Sequence, residues 1–141
     1  MRIVYKKTLD EIDWNDVSEI FLSVNWGRRD PGEIKKAFSK SSHVRFAFCG
    51  EKLIGFGRTM DDGKYYASIV DVIVLPEYQN QGIGKEILSL LKSELDSYLF
   101  ITLTSAPGKD TFYKKQGWLK QKSAYIWPKS ETQKIEYCEN S

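Results

Sequence analysis

Apolar residues recur three and four positions apart in two stretches of the chain, which is the spacing of an amphipathic helix. The first stretch follows Asp13, a residue suited to capping a helix, and the predicted helix continues to about residue 25. The second begins at Gly82 and reaches about residue 96. Between them, the pair Asp30-Pro31 places a cap before a proline in the first helical position, which predicts a further helix to about residue 39.

Runs rich in β-branched and aromatic residues, separated by turn residues, predict strands in the rest of the chain. The predicted strands are residues 1–6, 44–49, 52–60, 65–74, 98–104 (expected to be buried), 118–127 and, at the edge of the sheet, 134–138. A short helix at about 109–116 should end at Gly117. The strand–helix–strand run over 65–104, inside an otherwise antiparallel arrangement, predicts a mixed α/β fold.

The composition fits one folded domain. The chain has 141 residues, of which 41% are hydrophobic and 28% charged, so we expect a single domain over residues 1–141. No apolar run approaches the length that crosses a bilayer, and the first seven residues lack the apolar region of a signal peptide. Cys49 and Cys138 form neither a disulfide framework nor a metal-binding spacing, so we expect a cytoplasmic protein without a metal.

The charge of the chain gives only weak evidence about whether its partner is a nucleic acid or a phosphorylated ligand. A net charge of +2 gives no general argument for binding nucleic acid. Residues 109–134 nevertheless carry seven lysines and two acidic residues, a local excess of +5. This excess favours a phosphorylated ligand, although a solvated lysine-rich surface is the simpler explanation.

A glycine-containing turn at residues 79–84 lies between the end of a predicted strand and the start of a helix. Backbone N–H groups in the first turn of a helix have no acceptor within it, and the helix dipole adds positive potential there. Gly82 and Gly84 remove side chains that would hold a ligand away, so the turn suits a phosphate or pyrophosphate. The spacing matches neither the dinucleotide fingerprint nor the P-loop, and two glycines alone would indicate only a tight turn.

Two motifs give this turn a more specific meaning. The stretch DVIVLPEYQNQGIGK at residues 71–85 resembles the acetyl-CoA-binding motif of the GCN5-related N-acetyltransferases (GNAT), Gln/Arg-x-x-Gly-x-Gly/Ala after a strand and a proline-containing turn. Further along, FYKKQGW at residues 112–118 looks like the family's Phe-Tyr-x-Lys-x-Gly-Phe. Residues 24–27 also resemble a Val-Asn-Trp-Gly-like segment of the small bacterial single-domain members. The element order is similar to that of the family along the whole chain.

The resemblance implies a twisted, mixed, mostly antiparallel sheet, splayed in its middle and flanked by about four helices. Acetyl-CoA would be the co-substrate, bound in the opening without a metal. Its pantetheine arm would pair with the backbone of Val72 and Val74, and a backbone N–H near Ile73 would face the thioester carbonyl, where negative charge grows. The resemblance assigns the remaining coenzyme contacts to Gln79, Asn80, Gln81, Gly82, Ile83, Gly84, Lys85, Phe112 and Lys115.

The resemblance also suggests the catalytic groups. The family protonates the departing thiolate with a tyrosine, and Tyr113 stands at that position. An amine must lose a proton before it attacks the thioester, which calls for a base. Asp71, near the end of the long strand, is the candidate base, and a structural aspartate or one that binds a cationic substrate is an equal alternative. His43 is far from the motif in sequence and is expected at the surface.

The first two helices and their connection would line the acceptor pocket. Arg28 and Arg29 in that connection would bind an acidic group or remain in solvent. Lys109 stands where many members carry alanine or asparagine, and either a lysine there would serve the phosphates instead or this contact would be absent. We expect direct acetyl transfer to a primary amine of a small molecule, in a fold compatible with a homodimer. The alternatives are a non-catalytic acyl-CoA-binding domain and a protein or peptide lysine acetyltransferase.

Overall fold

The computed structural model describes residues 2–139 and places five strands and five α-helices along them. The strands are β1 (Ile3–Lys6), β2 (Val44–Cys49), β3 (Lys52–Asp61), β4 (Tyr66–Val74) and β5 (Phe100–Leu103). The helices are α1 (Trp14–Ser23), α2 (Pro31–Ser39), α3 (Ile83–Ser93), α4 (Asp110–Lys115) and α5 (Glu131–Tyr137). The residues up to Thr104 form one compact unit and those from Ser105 a second. The expected single domain over residues 1–141 stays a prediction.

All five strands belong to one sheet of the first unit, in the order β1-β2-β3-β4-β5. The pairs from β1 to β4 are antiparallel, whereas β5 lies parallel to β4 because α3 carries the chain back between them. The sheet is therefore mixed and mostly antiparallel, as the sequence predicted. In the described residues, no helix is both long and apolar enough to traverse a bilayer.

The first two helices begin where their capping residues predicted. The side chain of Asp13 accepts a hydrogen bond from the backbone N–H of Asn15 at 2.9 Å, and Asp30 accepts one from Glu33 at 3.0 Å. These carboxylates satisfy backbone donors that the first turn of a helix leaves free. Pro31 opens α2, where a missing N–H costs nothing.

The helices cover both faces of the sheet. On one face, Phe21 of α1 and Phe38 of α2 contact Phe56 of β3, with ring centroids 5.2 and 5.7 Å apart. The next residue, Gly57, faces the other side, because successive strand residues alternate. A Cβ at Gly57 would lie 2.9 Å from side-chain atoms of Ile87 and Leu91, so α3 packs directly against the strand backbone there.

The structure corrects the predictions for the end of the chain. Residues 118–127, predicted as a strand, form none in the described second unit, where no strand is present to pair with them. Residues 134–138, predicted as an edge strand, lie mostly in α5, whose first turn is fixed by a hydrogen bond from the N–H of Gln133 to Ser130 Oγ at 3.0 Å. The strand predicted at 98–104 is shorter, and its first residue, Phe100, is exposed rather than buried.

Candidate active site

β4 contains a bulge at Asp71, opposite Gly57 of β3. The paired residues on either side are Phe56 with Ile73 and Arg58 with Val70. Asp71 and Val72 therefore share one partner position on β3. Asp71 has a left-handed φ of 55°, which residues other than glycine adopt infrequently. A bulge bends its strand and redirects its side chains, so this one sets the direction of the second half of β4.

The sheet opens at the same place. β5 pairs with β4 only from Tyr66 to Ile69, and β4 then continues to Val74 with no β5 residue beside it. Within the described residues of the first unit, the outer edge of the second half of β4 has no strand partner. This is the splayed sheet that the family resemblance implied.

The backbone direction along this edge identifies the groups that a ligand can reach. The N–H of Leu75 donates to Ile54 O on β3 at 2.8 Å. Because the ladder alternates, the backbone groups of Ile73 also face β3, whereas those of Val72 and Val74 face the open edge. The backbone groups of Val72 and Val74 thus lie at the open edge, whereas the N–H of Ile73 faces Phe56. The coenzyme contacts expected at these three residues stay predictions.

The turn after β4 leads into α3 through two left-handed residues, Asn80 with φ 63° and Gly82 with φ 81°. The first bond of the helix runs from Glu86 N–H to Gly82 O at 3.0 Å, so the three N–H groups before Glu86 have no acceptor inside the helix. No side chain caps this end, and a Cβ at Gly82 would meet no other atom within 4 Å. The free donors and the open space suit a pyrophosphate.

The residues of this turn that were predicted to bind the coenzyme differ in their contacts and in their exposure. Gln79 donates from Nε2 to Val74 O at 2.9 Å, which ties the turn to the end of β4. Ile83 buries its side chain in the core, so only its backbone is available to a ligand. Asn80, Gln81 and Lys85 are exposed, and Gly84 is half-buried.

Asp71 is paired with two arginines. Its Oδ2 accepts a hydrogen bond from Arg58 Nε at 2.8 Å, and its Oδ1 lies 3.9 Å from Arg29 Nη1. The side chains of Asp71 and Arg58 are only 10% and 14% exposed, whereas that of Arg29 is 44% exposed. Asp71 is thus a nearly buried anion held between a buried and a partly exposed cation.

A cavity of about 310 Å³ lies over this ion pair. Its apolar wall comes from Phe21 of α1 and from Ile34 and Phe38 of α2, and its polar wall includes Asp71 and Arg58. The first two helices therefore line a pocket that adjoins the start of the open edge, where the acceptor was expected.

Sequence reasoning missed Arg58. Its signal was a charged residue directly after the apolar and glycine-containing residues 53–57 of β3, but only the register of β3 and β4 shows that it meets Asp71.

His43 takes no part in this cavity. Its Nδ1 lies 3.6 Å from Glu94 Oε2. Burial alone would raise the pKa of Glu94, but the hydrogen bond and charge of Arg45, with the charge of His43, lower it.

Tyr113, Phe112 and Lys115 all lie on α4, in the second unit. The rings of Phe112 and Tyr113 meet edge to face, with centroids 5.0 Å apart. Tyr113 is half-buried, and burial raises the pKa of its hydroxyl above the ordinary value of 10.0. An ordinary phenol is already protonated at neutral pH and able to donate, and the direction of this shift keeps it so. Lys115 is exposed.

Comparisons with known proteins agree with this geometry. A family model described as an acetyltransferase (GNAT) domain matches residues 26–126. The chain is 31% identical to the uncharacterized N-acetyltransferase ycf52 of Pyropia yezoensis, over 84% of this chain and 79% of that protein. It is 36% identical to a ycf52-like N-acetyltransferase of Prochlorococcus marinus, over 79% of this chain and 64% of that one. A GNAT family acetyltransferase of Streptococcus pneumoniae superposes with a TM-score of 0.77 at 25% identity, over 92% of this chain and all of that one. The chain belongs to the GNAT family of N-acetyltransferases.

Proposed function

We propose that this protein transfers an acetyl group from acetyl-CoA directly to a primary amine of a small molecule. The observation that carries the proposal is the continuity between the open edge of β4 at Val72 and Val74 and the uncapped start of α3 at Gly82. An extended chain that ends in a pyrophosphate matches these two features together.

The residues present fit acetyl-CoA. The C=O of Val72 and the backbone groups of Val74 would pair with the amides of the pantetheine arm as a further strand does. The N–H groups at the start of α3 would bind the pyrophosphate. When bound, acetyl-CoA supplies an activated acetyl group as a thioester.

The chain would assist the transfer at two atoms. Amide formation breaks the carbon–sulfur bond and leaves a thiolate, and the Tyr113 hydroxyl would protonate that sulfur as general acid. The N–H of Val72 is the donor that we assign to the thioester oxygen, because it faces the open edge next to the bulge. A backbone donor fixed by the strand needs no rearrangement as charge grows there.

We assign Asp71 to positioning rather than to proton abstraction. Both of its oxygens face guanidinium groups, at 2.8 and 3.9 Å, and its main contact is a nearly buried ion pair. This arrangement favours the alternative of a structural aspartate over the expected base. We therefore infer that solvent water, rather than a side chain, takes the proton from the amine.

The cavity also favours a small acceptor. Its volume of about 310 Å³ holds a compact molecule, and its walls come from α1, the α1–α2 connection, α2, β3 and β4. The names of more distant relatives divide between the two acceptor classes. One is a histone acetyltransferase of Glycine max, and another is a serotonin N-acetyltransferase of Oryza sativa, each matched over less than half of its length.

The test is release of free thiol from acetyl-CoA in the presence of polyamines, arylalkylamines, aminoglycosides, amino acids or a lysine peptide. Release that depends on one class of small amine supports the proposal. Release only with the peptide would instead indicate a protein acetyltransferase. Binding of acetyl-CoA, seen as a shift in melting temperature, without release for any amine would indicate a non-catalytic binding domain.

A further inference from the structure

The charges that line the acceptor cavity leave one cation without a partner of its own. Asp71 forms its short contact with Arg58, at 2.8 Å, and is 3.9 Å from Arg29. At the rim, Asp30 is engaged at the start of α2, where it accepts the N–H of Glu33 at 3.0 Å. Glu33 itself pairs with Lys36 at 3.3 Å and has a 70% exposed side chain. Of the three carboxylates that line the cavity, Asp71 is thus the one that both arginines contact.

The Arg29 guanidinium is held in place without using its donors. Its central carbon lies 4.3 Å from the centroid of the Phe21 ring and 5.9 Å from that of Trp26. It donates no hydrogen bond to any residue that the structure describes. A guanidinium stacked on aromatic rings is restrained, and its paired donors match the two oxygens of a carboxylate.

The distance between Arg29 and the Val72 N–H limits how far the anionic group and the amine of an acceptor lie from each other. Arg29 Nη1 is 3.9 Å from Asp71 Oδ1, and Val72, which follows Asp71, faces the open edge. With ordinary bond lengths, Arg29 and the Val72 N–H are within roughly 10 Å of each other. An anionic group on Arg29 and an amine at the thioester are thus separated by only a few bonds.

We propose that the acceptor is an amine that also carries a carboxylate, of the class of free amino acids with an apolar or aromatic side chain, and that Arg29 binds the carboxylate. This inference rests on the proposed acetyltransferase activity. Phe21, Ile34 and Phe38 supply the apolar wall for the side chain. The paired donors of the Arg29 guanidinium, which no residue in the described part of the chain accepts, select the anion.

The test compares three acceptors that differ in one group: phenylalanine, phenylalaninamide and 2-phenylethylamine. Only phenylalanine carries the negative charge. We expect its kcat/KM to exceed that of the other two by about 10- to 100-fold, the effect of one charge-assisted pair of hydrogen bonds. Arg29→Gln should reduce this preference at least tenfold, mainly through KM for phenylalanine. Arg29→Lys, which keeps the charge and loses the paired donors, should retain part of it.

Arg28→Gln is the matched control, because Arg28 is the neighbouring arginine and does not line the cavity. It should leave the preference unchanged. Efficient use of 2-phenylethylamine without use of phenylalanine would overturn the inference and leave the acetyltransferase proposal standing. An unchanged preference in Arg29→Gln would also overturn it. Failure of every amine in the broader panel would overturn the proposed function and this inference with it. Melting temperatures of the variants show that each is folded.

Discussion

Arg58 and Asp71 form an ion pair across the bulge at which the sheet opens, with Nε and Oδ2 separated by 2.8 Å. The two residues lie on adjacent strands, and the bulge between them shifts the register by one residue. The pair thus fastens β3 to β4 at the point where β4 turns away from β5. It also contributes to the polar lining of the cavity under α1 and α2.

Removing one partner of this pair should destabilise the fold. Arg58→Gln leaves the nearly buried Asp71 carboxylate with Arg29 alone, at 3.9 Å. We expect the free energy of unfolding to fall by about 1–3 kcal/mol, because a poorly compensated charge remains inside the protein. Urea unfolding measures the loss. The double variant Arg58→Gln/Asp71→Asn should lose less than the sum of the single variants, and strict additivity would show that the two residues do not interact.

Tyr113→Phe removes the proposed proton donor with little change in shape. Turnover should fall by about 100-fold or more, as for loss of a general acid, while acetyl-CoA binding stays nearly intact. Steady-state kinetics and calorimetric titration separate the two effects. Tyr125→Phe is the control, because that side chain is 97% exposed and should be silent. Unchanged turnover in Tyr113→Phe would remove the general-acid assignment.

Gly82→Val should abolish acetyl-CoA binding. Gly82 has a φ of 81°, and a branched side chain there would enter the open space in front of the α3 N-terminus. Gly63→Val provides the matched control, since Gly63 has a φ of 79°, meets equally open space and lies in the β3–β4 turn. Both variants should lose similar stability, roughly 1–2 kcal/mol for the left-handed conformation. Equal affinity for acetyl-CoA in the two variants would mean that the glycine at 82 is only structural.

The stability of the fold at low pH should depend on the protonation of Asp61. Burial alone would raise the pKa of Asp61, but hydrogen bonds from Ser42, Thr59 and Tyr98 lower it from 3.8 to about 2. The unfolded chain then binds the proton more readily than the folded one, so the stabilisation is complete above the ordinary pKa. It is lost as the pH falls from about 4 to about 2, and we expect it to amount to about 1–2 kcal/mol after allowance for solvent screening.

Denaturant unfolding between pH 5 and pH 2 measures this contribution. Asp61→Asn should be less stable at pH 5 and should lose less stability over the interval, because the amide does not titrate. The same pH dependence in Asp61→Asn as in the wild type would assign the acid sensitivity to other carboxylates.

Local sequence signals predicted most of the first unit. Asp13 and Asp30 act as helix caps through their own side chains, so the start of each helix is encoded within three residues. The turn around Gly82 was also predicted from the sequence. A glycine directly before an apolar helical pattern indicates a left-handed residue at the start of a helix.

Side-chain contacts that depend on the register of β3 and β4 could not be predicted from the sequence. Arg58 and Asp71 are thirteen positions apart, and only the bulge brings them together. The same bulge reverses which backbone groups face the open edge, so the N–H of Ile73 faces β3 and those of Val72 and Val74 face the edge.

The errors at the end of the chain have a related cause. Residues 118–127 have the alternation of a strand, but a strand forms only with a partner for its backbone. For residues 134–138, the decisive signal is the capping pair upstream, since Ser130 and Gln133 form the hydrogen bond that a helix start requires.

The most direct test of the central claim is to measure, in one reaction, the CoA thiol released from acetyl-CoA and the acetylated amine formed. The account predicts that both appear at the same rate, in equal amounts, and only when a small amine acceptor is present. Thiol release without acetylated amine, or binding of acetyl-CoA without release for any acceptor, would contradict it.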